Sequence, residues 1–418
     1  MNSRERVLKA LRHQEPDRVP LDSGGCSATT IAAVPYAGLK RLLGIERGAV
    51  AVYDVIQQLA VPEQWYLDRF EVDVVDVTRE CCLDTTGWQD WQLSDGSMAK
   101  IPPWAKLERE NGGWVYRDPG GDILARMPPS GHFFDQAYWP MADVGAEELA
   151  RPEKYLSRTM WAAIPRHFMH LSRSPEFPTL LREAARRLYE ESDYAILLNA
   201  GVSLFETAQF LRRTDNLLAD LVTDRKSVER LLDRLLEMNL ATLERLLDAT
   251  GPYIQVIKLN DDLGMQNGPL ISPRMFREVF KPRHKAMYDF VRKKQPGVFI
   301  FLHSCGSIYA LLPDLIDIGL DIINPVQTSA ADMEPERLKR EFGKDLTFWG
   351  GGVNTQHVLP WGTPEEVMRD VEEKVRAFAP GGGFVFTQSH NIAPEVPAEN
   401  VLAMFEGFRR CRDYPVGR

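Results

Sequence analysis

Short runs of Val, Ile, Leu and Phe alternate along the chain with longer stretches whose apolar residues recur at helical spacing. The runs at 19–22, 72–77, 194–199, 253–259, 298–302, 320–324, 346–349 and 384–387 are too short for helices and rich in β-branched and aromatic residues, so the pattern predicts strands. The later runs are almost continuously hydrophobic, as strands covered on both faces are. Between them, Val228, Leu231, Leu232, Leu235, Leu236, Leu240 and Leu243 mark one face of a helix predicted over 226–247. Ser272-Pro273, an N-cap and a first-turn proline, opens a second helix that continues past Pro282 to Val291. Thr363-Pro364-Glu365-Glu366 starts a third, and 397–410 is predicted as the last.

Eight strands alternating with helices predict an α/β protein, a (β/α)8 TIM barrel. An open doubly wound sheet is the alternative, but no G-x-G-x-x-G follows the first strand. The stretch 83–157 breaks the rhythm. It holds Trp88, Trp91, Trp104, Trp114 and Trp139, with turn pairs Asp95-Gly96, Asn111-Gly112 and Pro119-Gly120. It is read as inserted hairpins and loops after the second strand, serving either as a lid or wall of an active site or as a structural cap. The whole chain, 1–418, is read as one barrel domain enlarged by this insertion.

Composition narrows the class. Of 418 residues, 44% are hydrophobic and 26% charged, an ordinary globular balance. Lys plus Arg number 50 against 59 Asp plus Glu, a net charge of -9, which argues against a nucleic-acid partner. No apolar run reaches the roughly 18 residues of a membrane helix, and the amino terminus lacks the features of a secretory signal. Five irregularly spaced cysteines fit a reducing compartment rather than a disulfide scaffold. A soluble, cytoplasmic enzyme with a small-molecule substrate is expected.

In a barrel the active site lies beyond the carboxyl ends of the strands. Polar and glycine residues gather there: Asp22, Asn199, Asp261, Asp262, Asn324, Gln327, Asn354 and Gln388, with Gly350-Gly351-Gly352 after the seventh strand. Of these, Asp22, Asn199, Asn324, Gln327, Gly351, Gly352, Asn354 and Gln388 are candidates for binding substrate or cofactor. His303-Ser304-Cys305 is the sharpest feature, because residues two apart in an extended segment project to one side and can reach one metal ion. An imidazole and a thiolate suit zinc, with a third ligand from elsewhere and an open position. His390, at the mouth of the eighth strand, is the choice for the third. Asp261 and Asp262 are the candidate catalytic acids, although N-capping and loop hydrogen bonds are an equally ordinary use of such a pair. The glycine triplet could admit a ligand or make a tight turn. Cys81-Cys82 is adjacent and cannot chelate as C-x-x-C does. Cys411 and His13 look structural, and His132, His167, His170, His284 and His357 have no evident partners.

These residues, taken together, resemble the uroporphyrinogen decarboxylase superfamily across nearly the whole chain. The matching segments are Arg4-Glu5-Arg6-Val7-Leu8, Glu15-Pro16-Asp17-Arg18-Val19-Pro20, Asp261-Asp262-Leu263-Gly264, His303-Ser304-Cys305-Gly306, Gly351-Gly352-Val353-Asn354-Thr355-Gln356, His390-Asn391-Ile392 and Pro397-Ala398-Glu399-Asn400. The resemblance implies the same barrel and one of two chemistries. The haem-pathway decarboxylases carry an arginine-bearing motif after the first strand that holds substrate carboxylates. Here that position reads Asp22-Ser23-Gly24-Gly25-Cys26, without arginine. The other branch comprises zinc-dependent methyltransferases working with a corrinoid (cobalamin), which carry H-x-C and a later third ligand, usually cysteine. His303 and Cys305 match, and His390 stands where the cysteine would be.

One thiolate and two neutral imidazoles leave zinc with a formal charge of about +1, against about zero with two thiolates. The harder centre favours an oxygen donor, such as a methyl ether. The expectation is therefore O-demethylation with methyl transfer to a corrinoid, with a corrinoid protein as partner. A decarboxylase acting on a tetrapyrrole or other acid, and a non-catalytic corrinoid- or tetrapyrrole-binding protein, are the alternatives.

Overall fold

The computed structural model describes residues 1–81, 83–164 and 174–416. Cys82, His167 and His170 lie outside the described residues. Seven strands form one parallel sheet with neighbours in chain order: β1 (Val74–Asp76), β2 (Ala195–Asn199), β3 (Val256–Asn260), β4 (Phe299–His303), β5 (Ile322–Asn324), β6 (Thr347–Trp349) and β7 (Phe384–Val385). The sheet curls into a TIM-like half-barrel. Each strand overlaps a predicted apolar run.

The first predicted strand, 19–22, is not a regular strand, yet its backbone is bonded to both edges of the sheet. Phe386 N–H donates to the Pro20 carbonyl and Asp22 N–H to the Phe386 carbonyl, while Asp73 N–H donates to the Leu21 carbonyl. Pro20 has no N–H, and the second Asp73 oxygen takes that of Leu21 instead, at 2.8 Å. A regular ladder is thus replaced by single bonds.

The strands bury both faces by simple alternation. Val74, Leu197, Val256, Phe301, Ile322, Trp349 and Val385, one from each strand, form a small interior cluster with Val7 and Leu11 of the helix Ser3–Leu11. The alternate residues Ile196, Leu198, Ile257, Leu259, Ile300, Leu302, Ile323 and Phe348 belong to the larger cluster beneath the surrounding helices. Two residues beyond the interior positions stand Asp76, Asn199, Lys258, His303 and Asn324, so the inner face turns polar at the carboxyl ends of the strands.

The long predicted helix runs over Arg225–Thr250, capped by the Asp224 side chain. The Thr363 start is a full capping box with Glu366, opening Pro364–Phe378. The helix expected to run from Ser272 past Pro282 does so, but with a π-helical turn, Phe276–Phe280, between Pro273–Met275 and Lys281–Lys294. Pro282 has no N–H to give to the carbonyl one turn back, and the widened turn accommodates that loss.

Residues 83–157 hold antiparallel strands. Met98–Ile101 pairs with Gln89–Gln92 and also, in parallel, with Val50–Asp54, a strand the sequence pattern did not single out. A separate four-stranded sheet comprises Glu108–Glu110, Gly113–Arg117, Ile123–Met127 and Asp135–Gln136. Asn111 and Gly112, with φ of 52° and 79°, make the tight turn that joins its first two strands. Among the described residues, no helix is long and apolar enough to cross a membrane.

Candidate metal and substrate site

Strand register sets the first row of the site. Asn260 on β3 lies opposite His303 on β4, and His303 opposite Asn324 on β5. The loops that follow β3 and β4 are locked together. Asp261 N–H donates to the His303 carbonyl at 2.9 Å, Ser307 N–H to the Met265 carbonyl at 2.7 Å, Leu263 N–H to Ser304 Oγ at 3.1 Å and Cys305 N–H to Asp262 Oδ1 at 2.8 Å. Gly306, at φ 80°, completes the joint, because a Cβ there would meet Gly264 C at 2.6 Å. Two motifs that begin 42 residues apart in sequence are thus one interlocked unit.

One donor atom from each of His303, Cys305 and His390 lies within 4.8 Å of the other two. Cys305 Sγ is 3.5 Å from His303 Nε2, and the two imidazole centroids are 5.4 Å apart. Each histidine is oriented by an asparagine. Asn324 gives its Nδ2 to the Trp349 carbonyl at 2.7 Å, so its Oδ1 faces His303 Nδ1 at 2.5 Å. Asn391 gives its Nδ2 to Gln57 Oε1 at 2.9 Å, so its Oδ1 faces His390 Nδ1, also at 2.9 Å. A carbonyl oxygen can only accept, so both Nδ1 atoms carry the hydrogen and both Nε2 atoms keep a lone pair. Ligating histidines are commonly held this way.

The donor set fits zinc. A tetrahedral ion with N and S ligands needs donor separations of roughly 3.4–3.8 Å, and Cys305 Sγ and His303 Nε2 already stand in that range. Burial, followed by the neighbouring Asp262 carboxylate, pushes the Cys305 thiol up. Coordination to a divalent ion is what would replace its proton.

The predicted site residues fall into distinct groups. Asp262 lines the cavity above the three ligand-type residues, with Oδ1 4.0 Å from His303 Nε2, and burial raises its carboxyl. Asp261 is fully buried and turned away. Its oxygens accept the N–H groups of Phe205 at 3.1 Å and Glu206 at 2.8 Å, capping the helix Phe205–Arg212, and its Oδ2 lies 2.9 Å from His284 Nε2. The pair therefore divides into a cavity residue and a structural cap.

Asn324 supports His303 from a fully buried position. Gln327 braces the loop after β4, its Oε1 accepting Gly306 N–H at 3.1 Å. Asp22 is fully buried with Gly25 N–H at 2.6 Å and Trp349 Nε1 at 2.8 Å as donors, and burial pushes its carboxyl up to about 6. Gln388 ties to the Thr29 and Thr30 carbonyls, and Asn354 Oδ1 accepts the N–H groups of Gln356 and His357 within its own turn. Asn199 is buried, and its side chain has no hydrogen-bond partner among the described residues. Gly351 and Gly352 meet protein rather than open space: a Cβ on Gly352 would stand 2.5 Å from the Phe386 ring. The triplet is a packed turn.

The cavity has a volume of about 380 Å3. Its polar end is formed by Lys258, Asn260, Asp262, His303 and His390, with Gln57 and Glu206 nearby, and its apolar wall by Leu156, Trp161, Ala162 and Phe210. Lys258 is almost wholly buried and hydrogen-bonds Asn260 Oδ1. Sequence reasoning passed over it as part of an apolar strand, although its inward phase two residues after Val256 was readable. None of the five tryptophans of 83–157 lines this cavity. Trp161, which follows that stretch, does.

Removing an orienting partner is expected to loosen metal binding without touching a ligand. Asn324→Ala should weaken zinc affinity about 10–100-fold, measured by chelator competition. An affinity equal to that of the wild type would show that His303 is fixed by other contacts.

Comparisons with known proteins agree with this picture of the fold. The family model for uroporphyrinogen decarboxylase (URO-D) matches residues 166–411. A protein of Magnetococcus marinus described as uroporphyrinogen decarboxylase is 26% identical over 184 residues, 43% of this chain and 47% of that protein. The match thus spans about half the length of that relative. Among solved structures, a methyltransferase from Methanosarcina mazei superposes with a TM-score of 0.58 at 18% identity, covering 98% of this chain and 99% of that one. At that identity the likeness concerns the fold.

Proposed function

Because the chain belongs to the uroporphyrinogen decarboxylase family, we propose that it is the zinc-dependent methyltransferase of a corrinoid system, taking the methyl group of a small methyl ether. The observation that carries this reading is the convergence of His303, Cys305 and His390, of which the two histidines line the polar end of the cavity. These three residues would hold the metal. When bound, a zinc ion with a single thiolate ligand supplies a hard Lewis acid suited to an ether oxygen.

The chain's own residues do the rest. Leu156, Trp161 and Phe210 take up the apolar or aromatic body of the donor and keep water from it. Asp262, fixed through the Cys305 amide, orients the donor at the polar end, and buried Lys258 with Asn260 favours electron density that builds on the leaving oxygen. Asp261 positions the helix that carries Glu206 and Phe210. A corrinoid, when bound in its cob(I)alamin form, would supply the nucleophilic electron pair that accepts the methyl group. The ether oxygen would keep the electrons of the broken C–O bond and take up a proton from solvent. The fold likeness to the Methanosarcina mazei methyltransferase supports this reading.

The decarboxylase alternative has less support. Lys258 is the single cationic side chain among the described residues that line the cavity, and a substrate with many carboxylates would leave most of its charge unmatched.

The test is to mix the protein, zinc and cob(I)alamin with a panel of methoxylated aromatics, methanethiol and methylamines, and to follow methylcobalamin by its absorption. A methoxylated donor is expected to give turnover that disappears in Cys305→Ser. Release of CO2 from a porphyrinogen, with no methylcobalamin from any donor, would replace this reading by the decarboxylase one.

A further inference from the structure

The tryptophans that do not face the first cavity build another. Trp91 and Trp114 lie against each other with ring centroids 4.4 Å apart and planes at 41°. They form one side of a second cavity of about 320 Å3. Trp91 is buried and its Nε1 donates to Gln58 Oε1 at 2.8 Å, so its indole is fixed. The tight Asn111-Gly112 turn sets Arg109 directly across from Trp114 in the hairpin register. The guanidinium carbon stands 4.0 Å from the Trp114 ring centroid, and Nη1 donates to the Gly112 carbonyl at 3.0 Å.

Arg109 is exposed, and no carboxylate pairs with it among the described residues. Its neighbours in the same sheet behave differently: Arg117 and Arg126 share Glu110. Leu93 and Met127 add apolar wall, and Ser94 Oγ and His132 Nδ1, 2.8 Å apart, supply polar groups. The cavity is therefore lined by two indoles, a planar cation laid over one of them without a carboxylate partner among the described residues, and a hydroxyl–imidazole pair.

We propose that this cleft is a second binding site, for a small planar aromatic anion. The ring would rest on the indole surface, where stacking is favourable, and the carboxylate would take the free guanidinium N–H groups of Arg109 in a charge-assisted pair. The two cavities meet at one dipeptide: Gln58, at φ 54°, holds Trp91, while Gln57 accepts from Asn391, the residue that orients His390.

The experiment is calorimetric titration of the full chain with 2-naphthoate, with neutral 2-naphthalenemethanol and with non-planar cyclohexanecarboxylate. Saturable binding of 2-naphthoate is expected, with both analogues weaker by about tenfold or more. Arg109→Gln, at an exposed residue without an ion pair, should cause a similar loss and leave the fold intact. Trp114→Ala should do the same, whereas Trp161→Ala, in the first cavity, should leave the affinity unchanged. Unaltered binding in Arg109→Gln, equal binding of cyclohexanecarboxylate, or loss of binding only in Trp161→Ala would each overturn the proposal, as would the absence of saturable binding.

Discussion

His303→Ala and Cys305→Ser are each expected to abolish stoichiometric zinc and to lower methyl transfer by at least about 100-fold, more than the loss of an orienting partner costs. The reasoning is geometric. With one of three protein ligands removed, two remaining donors hold a divalent ion weakly, and an open catalytic position no longer has a defined direction. Circular dichroism should be unchanged, since the loops after β3 and β4 are joined mainly through backbone and Ser304 contacts. Zinc retained near one equivalent in both variants would place the metal elsewhere.

The second large effect concerns the opposite end of the sheet. Asp73→Ala is expected to destabilise the protein by about 3–5 kcal/mol, the cost of breaking a buried ion pair from one side. Asp73 is fully buried. Its two oxygens accept from Ser3 Oγ, Arg6 Nη1, Arg18 Nη1 and Nη2, and the Leu21 amide. Removing them strands Arg18, whose side chain is only 10% exposed, and leaves Arg6, 9% exposed, to its pair with Asp17. It also frees the segment whose backbone spans the two edges of the sheet. Denaturant unfolding would measure the change, and a loss below about 1 kcal/mol would mean the arginines relax to water. This network explains why Arg6 and Arg18 stand in the amino-terminal motifs: they fasten the ends of the curled sheet and lie away from the chemistry.

Much of the fold was legible because its signal is local. Each sheet strand is a compact apolar run, and a run of that kind buried on both faces can hardly be anything else at that length. The capping box at Thr363 is likewise written in adjacent residues. What was not legible depends on distant partners. The strand Val50–Asp54 draws its pairing from Leu59–Ala60 and Met98–Ile101, and the π-helical turn before Pro282 shows itself only when the helix must continue past a missing donor.

At the site, spacing was enough to join His303 to Cys305, and position at a strand mouth was enough to add His390. Which of Asp261 and Asp262 faces the cavity was not readable, because adjacent residues in a loop point wherever the backbone turns. Asn324, Asn354 and Gln388 read as binding residues since polar side chains at strand ends are common to binding and bracing; only their partners separate the two. Lys258 was hidden by its apolar neighbours, and the tryptophan-rich stretch was left open between a wall of the active site and a structural cap because sequence order gives no hint of which cleft its rings face.

The central claim is that one thiolate and two imidazoles form a zinc centre. Zinc-edge X-ray absorption of the purified, zinc-loaded protein tests it most directly. The expected first shell holds one sulfur at about 2.3 Å and two nitrogens at about 2.0–2.1 Å, with a light atom in the open position. A shell with two sulfurs, or one made of oxygen and nitrogen alone, would contradict the account.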